Sequence, residues 1–259
     1  MRKQQRAPRR RNRASVSSVL GELLVTLGVV LLMFLGWKYY LYDSIIGNEE
    51  IAASSELSAE LAQQYETLAP AEPDLGGIPI RPLPTTPYEE FGVLYVPSWS
   101  PDFSRRIATD IDRTEVLDPG YIGAYMDSGP VGAEGNFILA AHRTASGAPF
   151  IGLPKLELGN KVYIETVDGW YVYAFRSSEY VSADQVDVLA NVPRHPELPK
   201  NERFLVLLTC NPEWSIAERL VSYLILEEFV PRSDGPPQEI AAAVQARIDS
   251  GGEDAGRGD

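Results

Sequence analysis

The stretch KVYIETVDGWYVYAF, residues 161–175, carries the clearest strand pattern in the chain. Its side chains alternate with a period of two over 162–167 and again over 170–175. Asp168-Gly169 lies between the two halves, and this pair is typical of tight hairpin turns. The stretch therefore predicts a β-hairpin.

Five further short runs are apolar or alternating, and turn residues punctuate the chain between them. They are FGVLYVP (91–97), RRIATDI (105–111), NFILAAH (136–142), RFLVLLT (203–209) and RLVSYLILEEF (219–229). Helical patterns between these runs are few and short. Repeated short strands of this kind predict an all-β fold, either a closed or nearly closed barrel or a sandwich.

A basic head and a long apolar run open the chain. The run over 20–41 is long enough to cross a hydrocarbon core of about 30 Å, and Trp37 and three tyrosines follow at its far end. Basic residues before the run predict a single-pass plasma-membrane anchor over 19–42, with 1–18 in the cytoplasm and the bulk outside. A cleaved signal peptide is the alternative, but GWKYYLYD (36–43) offers no small-residue cleavage site.

Charge is distributed unevenly along the chain. Seven Lys and Arg fall within the first 13 residues, where no acid occurs. The remaining 16 Lys and Arg stand against all 36 Asp and Glu, so the rest of the chain carries a net charge of −20. So acidic a surface argues against nucleic acid as a partner.

The pattern after the anchor divides into three segments. Residues 43–87 read as a helical stalk followed by a linker rich in Pro and Gly. The strand-rich segment 88–231 is the predicted folded domain. Residues 232–259 contain one predicted amphipathic helix, over 236–248, and a tail of the composition found in disordered ends.

The chain has one cysteine, Cys210, at the end of an apolar strand and just before Asn211-Pro212. A lone thiol in an exported protein is a small buried side chain, an intermolecular linker or a nucleophile. A nucleophile needs a base or a cation beside it. Neither histidine has the neighbours of a metal site.

His142 and Arg219 are the candidates for this base and this cation, because of where they stand relative to the predicted strands. His142 ends another apolar strand, as Cys210 does, whereas His195 lies between prolines in a polar loop. Arg219 begins the strand after Cys210, so a strand–loop–strand arrangement returns it to the side of the thiol. Its planar guanidinium suits a developing oxyanion, although an ion pair with a neighbouring glutamate is the alternative.

Two blocks of sequence resemble the sortases, membrane-anchored cysteine transpeptidases of Gram-positive bacteria. GNFILAAHRTASGAPF (135–150) resembles their GNxxLAGHR block, and LLTCNPEWSIAERL (207–220) resembles their TLxTC block followed by the catalytic arginine. The resemblance covers about 90–231. Asn211-Pro212 after the cysteine and Gly-Ala-Pro-Phe at 147–150 make it most similar to the class E sortases of high-GC actinobacteria.

The resemblance implies a fold, a reaction and a set of site residues. The fold is a closed β-barrel of about eight strands. Cys210 is the implied nucleophile, His142 the proton donor and acceptor, and Arg219 the oxyanion partner, with Tyr125 and Thr209 in the substrate groove. The implied reaction cleaves an LPxTG- or LAxTG-like sorting signal between Thr and Gly. It transfers the protein to an amine of a peptidoglycan precursor or a pilin, and requires no metal or organic cofactor.

Several positions depart from the family pattern around the groove. The glycine usual before the histidine is Ala141, and the first Thr of TLxTC is Leu207. Ala145-Ser146 replaces an aromatic position, and Ala124 replaces the histidine usual beside Tyr125. These departures bear on which sorting motif the groove accepts.

Other functions remain open at this point. One is a membrane-anchored binding or scaffold module that keeps the barrel without turnover, which an intact Cys, His and Arg argue against. Another is an L,D-transpeptidase, whose cysteine block LLTCNP does not match. A papain-like peptidase has its cysteine before its histidine, the reverse of the order here.

Overall fold

The computed structural model describes residues 15–37 and 42–245. The basic segment 1–14, residues 38–41 of the predicted aromatic belt and the tail 246–259 lie outside the described residues. Contacts divide the chain into two compact units, Met1–Tyr42 and Asp43–Asp259.

The first unit holds helix α1, Val16–Gly36. It is the one helix of the described residues that is long and apolar enough to cross a membrane, with a mean hydropathy of 2.4. Its large apolar side chains are exposed, as a lipid-facing surface requires. The helix is therefore a candidate anchor.

The second unit is built on a closed barrel whose strand order is β1-β2-β3-β4-β7-β8-β6-β5. The predicted all-β barrel is thereby confirmed. Its strands are β1 Glu90–Tyr95, β2 Ser104–Thr109, β3 Ile122–Ala124, β4 Gly135–Ala140, β5 Lys161–Thr166, β6 Gly169–Ser182, β7 Arg203–Asn211 and β8 Glu218–Pro231.

Two neighbouring pairs in the barrel are parallel, β2 with β3 and β4 with β7, and the other pairs are antiparallel. Parallel neighbours need a crossover connection. The β5–β6 hairpin lies within the crossover from β4 to β7. Because parallel strands end at the same edge, the residues that follow β4 and those that end β7 meet at one rim of the barrel.

The hairpin forms where the sequence predicts it, but its turn lies one residue earlier. Thr166 pairs with Gly169, so the turn is Val167-Asp168 and Gly169 begins β6. Gly169 has φ +147, and a Cβ there would lie 2.3 Å from the carbonyl oxygen of Val230. The glycine is thus needed for close approach of β8 as well as for its backbone conformation.

The barrel interior is filled by large apolar side chains from every wall. Fully buried members include Leu94, Ile107, Ile122, Phe137, Leu139, Ile164, Tyr171, Tyr173, Leu205 and Leu224. Such a filled interior leaves the outer surface and the rims for binding.

Helix α2, Tyr42–Tyr65, covers one outer face of the barrel. Leu57 and Leu61 pack with Tyr163 and Trp170 of the hairpin, and the helical residues 238–245 add Ile240 and Val244 to the same cluster. Both faces of the hairpin are therefore buried. The predicted stalk therefore packs against the barrel over this helix.

Polar contacts also join α2 to the barrel. Ser58 Oγ donates to both carboxylate oxygens of Glu165, at 2.9 and 3.0 Å. Glu165 is fully buried, and Tyr95 Oη and Arg232 Nη2 also donate to it, at 2.5 and 2.9 Å. Burial of an unpaired carboxylate costs free energy, so the hydrogen bonds from Ser58 of α2 help to stabilise Glu165 inside the protein.

Candidate active site

The parallel pair β4–β7 brings the predicted histidine and cysteine to one rim. Their register runs from Gly135 opposite Arg203 to Ala140 opposite Leu208. Two more residues along each chain reach His142 and Cys210. The hydrogen bond from Ala141 N to Leu208 O, 3.2 Å long, continues the pairing beyond β4.

The antiparallel pair β7–β8 brings the predicted arginine to the cysteine. Cys210 is the direct cross-strand partner of Arg219. Side chains of such partners lie on the same face of a sheet. Arg219 Nη1 donates to the carbonyl oxygens of Ile216 and Glu218, both at 2.9 Å, which holds the guanidinium at the strand end.

All three side chains line one cleft of about 400 Å³ on the outer face of this rim. Ala140 and Leu208, two residues before His142 and Cys210, belong to an apolar cluster on the outside of the barrel. A two-residue period carries His142 and Cys210 to that same face. The cleft is further lined by Ile111, Arg113, Leu117, Asp118, Tyr125, Ala141, Arg143, Thr144, Ala145, Thr209, Trp214, Ser215 and Ile216.

Asp118 is a partner of His142 that the sequence pattern does not reveal. Asp118 Oδ1 lies 2.8 Å from His142 Nε2. The aspartate caps the C-terminal end of a single π-helical turn, Arg113–Leu117, whose N-terminal end is capped by the carboxylate of Asp112. A carboxylate only accepts hydrogen bonds, so Nε2 carries the hydrogen and Nδ1 is the nitrogen left for proton exchange.

Tyr125 forms part of the cleft on the side of Arg219. Burial raises the pKa of the Tyr125 phenol, and the positive charge of Arg219 opposes that rise. The phenol is therefore neutral at physiological pH and lies within electrostatic reach of the guanidinium. Its neighbour Ala124 is buried in β3.

Thr209 also lines the cleft, and its hydroxyl makes a hydrogen bond within the protein. Thr209 Oγ1 donates to the carbonyl oxygen of Ala141 at 2.8 Å. The bond ties the residue before Cys210 to the residue before His142. It therefore reinforces the rim at the point where the ladder of β4 and β7 ends.

The loop after His142 has an unusual backbone. Ala145, Ser146, Gly147 and Ala148 all have positive φ, between +47 and +73. Arg105 Nη2 donates to Gly147 O at 3.2 Å, and burial lowers the pKa of Arg105 to about 10. A Cβ on Gly147 would meet Ile46 of α2 at 3.0 Å, so glycine allows α2 to approach the loop.

The loop between β7 and β8 presents apolar side chains at the mouth of the cleft. Trp214 is 63% exposed and Ile216 is 75% exposed. Their positions follow the cysteine closely in sequence, but only the closed barrel shows that they border the same cleft. His195 lies elsewhere, with 60% of its side chain exposed and Nδ1 3.3 Å from Glu197.

Comparison with known proteins agrees with this geometry. A sequence model described as the sortase domain matches residues 94–226. Sortase SrtE1 of Streptomyces coelicolor is 30% identical over 247 residues, which cover 93% of this chain and 66% of that protein. Sortase SrtE2 of the same organism is 29% identical over 238 residues, which cover 88% of this chain and 89% of that protein.

A solved structure shows that the similarity extends to the three-dimensional fold. Sortase E1 from Streptomyces coelicolor, solved with a tripeptide in its active site, superposes with a TM-score of 0.55 and is 33% identical. The match covers 59% of this chain and 96% of that one. The predicted resemblance to class E sortases is thus confirmed, and the chain belongs to the sortase family.

Proposed function

We propose that the protein is a cysteine transpeptidase that joins sorting-signal proteins to an amine of the cell wall or of a pilin. The observation that carries the proposal is the convergence of three elements on one cleft. β4 leads to His142, β7 carries Cys210 as its next-to-last residue, and β8 carries Arg219, the cross-strand partner of Cys210, as its second residue. Membership of the sortase family supports the same reaction class.

The first half-reaction forms a thioester. The Cys210 thiolate attacks the carbonyl carbon of the Thr–Gly bond in an LAxTG- or LPxTG-like signal, and the oxyanion that develops faces Arg219. The C–N bond breaks as His142 gives its proton to the departing glycine amine. In the proposed state, the carboxylate of Asp118 holds Nε2 of the imidazole while Nδ1 exchanges the proton.

The second half-reaction forms the new amide. The acceptor amine attacks the thioester carbon, His142 takes the proton from the amine, and the thiolate of Cys210 leaves. Atoms and charges balance over the cycle, because the proton given to glycine is recovered from the acceptor. The acceptor is a peptidoglycan precursor or a pilin amine.

The groove beside the thiol accepts the sorting signal. Tyr125 stands near Arg219 and Thr209 forms part of the wall. We propose that Tyr125 limits the space for the second residue of the motif, which favours alanine over the bulkier ring of proline. The exposed Trp214 and Ile216 supply apolar surface at the mouth for the rest of the signal.

The test of this function is a transpeptidation assay with three variants. The full-length chain in detergent is mixed with LAxTG and LPxTG peptides and a simple amine, and products are read by mass spectrometry. We expect the wild type to form an amide product and Cys210→Ala to form none. His142→Ala should fall nearly as far, and His195→Ala should retain wild-type yield. Normal yield from the Cys210→Ala variant refutes the nucleophile.

We further propose that α1 anchors the enzyme with its N-terminus in the cytoplasm and its barrel outside. The single cysteine offers a direct assay, because Cys210 is partly exposed. A membrane-impermeant maleimide added to intact cells should label the wild type and leave Cys210→Ala unlabelled. Labelling that appears only after lysis reverses the orientation.

A further inference from the structure

Three side chains that flank the proposed catalytic residues are joined to one another. Arg143 follows His142, Asn211 follows Cys210, and Glu218 precedes Arg219 in the chain. We call Arg143, Asn211 and Glu218 the flanking network. Each member is thus the sequence neighbour of a different proposed catalytic group.

Two hydrogen bonds build the flanking network. Arg143 Nη1 donates to Asn211 Oδ1. Asn211 Nδ2 donates to Glu218 Oε2 at 2.7 Å. Arg143 also makes a looser ion pair with Glu213, 3.5 Å long, in which the glutamate side chain is 51% exposed.

The amide of Asn211 is the centre of the network because both of its ends are used. Its oxygen accepts from a cation on one side, and its nitrogen donates to a carboxylate on the other. Only one orientation of the amide satisfies both partners. The side chain is therefore fixed, and with it the backbone that carries Cys210.

The network lies where the β-ladder gives no further support. Asn211 and Glu218 form the last pair of the β7–β8 ladder, next to the pair of Cys210 and Arg219. The loop that follows, 212–217, is largely exposed. Strand ends fray when nothing holds them. Arg143, whose side chain is only 10% exposed, links this end to the loop that carries His142.

We propose that Arg143, Asn211 and Glu218 are positioning residues that hold His142, Cys210 and Arg219 in register at the rim. This inference rests on the proposed function, because it assigns a purpose to the neighbours of the proposed catalytic groups. None of the three needs to touch the substrate. Their effect passes through the backbone to the side chains that do.

The donor and the acceptor of the bond between Asn211 and Glu218 can be exchanged by substitution, which tests the bond directly. Asn211→Asp keeps the oxygen that accepts from Arg143 but places a second carboxylate beside Glu218. Glu218→Gln keeps an acceptor for the Asn211 amide. The double variant Asn211→Asp/Glu218→Gln restores the bond with donor and acceptor reversed, and its net charge equals that of the wild type. A rescue would therefore report the bond itself.

Three measurements on the full-length chain in detergent separate positioning from stability and from function. They are kcat and KM for an LAxTG peptide, the rate of Cys210 alkylation by iodoacetamide, and the midpoint of thermal unfolding. We expect Asn211→Asp to lower kcat about 10-fold to 100-fold with little change in KM, the scale for small misplacement of reacting groups. Glu218→Gln should change kcat less than about three-fold, and the double variant should recover most of the loss.

Glu227→Gln is the matched control. Glu227 lies on the same strand, β8, and forms an ion pair with Arg176 at 2.9 Å, outside the cleft. This variant should match the wild type in kcat and in alkylation rate.

Additive effects of the two single substitutions, with no recovery in the double variant, would overturn the proposal. So would a loss of kcat explained by a lowered unfolding midpoint. If the wild type transfers no peptide, the proposed function fails, but the alkylation rates still judge the network. Recovery of the alkylation rate in the double variant would support the flanking network. Independent effects of the two substitutions on that rate would reject it.

Discussion

Asp118 and His142 are joined by a 2.8 Å contact between a carboxylate oxygen and a ring nitrogen, although 24 residues separate them in the chain. The contact gives the imidazole a defined orientation and a nearby negative charge. The fixed orientation leaves Nδ1 of the ring for the proposed proton transfer.

Asp118→Asn should therefore lower kcat for transpeptidation by about 10-fold or more, with a smaller change in KM. The amide keeps the size of the side chain but loses the charge. Steady-state kinetics with a saturating amine measures the effect. Asp127→Asn, in an exposed position of a neighbouring loop, is the control. Equal kcat in the two variants would show that Asp118 serves only the local turn.

Arg219→Lys tests the shape of the cation rather than its charge. Lysine keeps the positive charge but lacks the planar set of donors. If Arg219 faces the oxyanion, turnover should fall by roughly 10²-fold or more, the scale for loss of such a donor. Arg176→Lys, on the outer wall in an ion pair with Glu227, provides the comparison. Unchanged turnover in Arg219→Lys would reduce the arginine to a structural role.

Tyr125 should make LAxTG peptides better substrates than LPxTG peptides. One small apolar group in a pocket is worth about 1–3 kcal/mol, so the ratio of kcat/KM values should be about 10-fold to 200-fold. Tyr125→Ala should narrow the ratio because it removes the bulk that opposes proline. Kinetics on the two peptides decide the matter, and a ratio at or below one in the wild type would contradict it.

Removal of α2 should destabilise the barrel. A chain that begins at residue 66 loses the cover that Leu57 and Leu61 provide and the hydroxyl that Ser58 offers to Glu165. Burial of a leucine is worth about 1.5–3 kcal/mol, so the free energy of unfolding should fall by at least about 3 kcal/mol. Urea denaturation of chains 43–245 and 66–245 measures the difference.

A pair of point variants refines that comparison. Ser58→Ala should lower the free energy of unfolding by about 1–3 kcal/mol, because it removes a donor from a buried carboxylate. Ser55→Ala is the control, since Ser55 Oγ donates to the carbonyl oxygen of Ile51 in its own helix. Equal stability of the two chains 43–245 and 66–245 would mean that α2 is a passive cover.

The parts of the fold that the sequence predicts are those with local signals. The hairpin over 161–175 follows from a two-residue period around a turn, and both properties lie within 15 residues. β3 is not predicted from the sequence, because a strand of three residues, Ile122–Ala124, is too short to show a two-residue period. The packing of α2 has no such local signal. The hairpin face that carries Tyr163 and Trp170 also carries Glu165, the cross-strand partner of Trp170, so the alternation alone does not indicate that a helix covers it.

The candidate site likewise contains residues that the sequence predicts and residues that it does not. Cys210, His142 and Arg219 are recognisable because each stands at a strand boundary within a family block. Asp118 is not, since the connection between β2 and β3 also contains Asp110 and Asp112, and only the folded loop selects one of the three. The flanking network is equally hidden, because its bonds join residues up to 68 positions apart.

The parallel pairing of β4 with β7 also fixes when the site can exist. Because a crossover of more than 60 residues separates the two strands, their contact is among the long-range steps that close the barrel. An incompletely folded chain carries an ordinary isolated thiol, with its histidine and arginine elsewhere. The proposed catalytic arrangement therefore forms only when the barrel closes, and on this proposal a nascent chain holds no acylating centre.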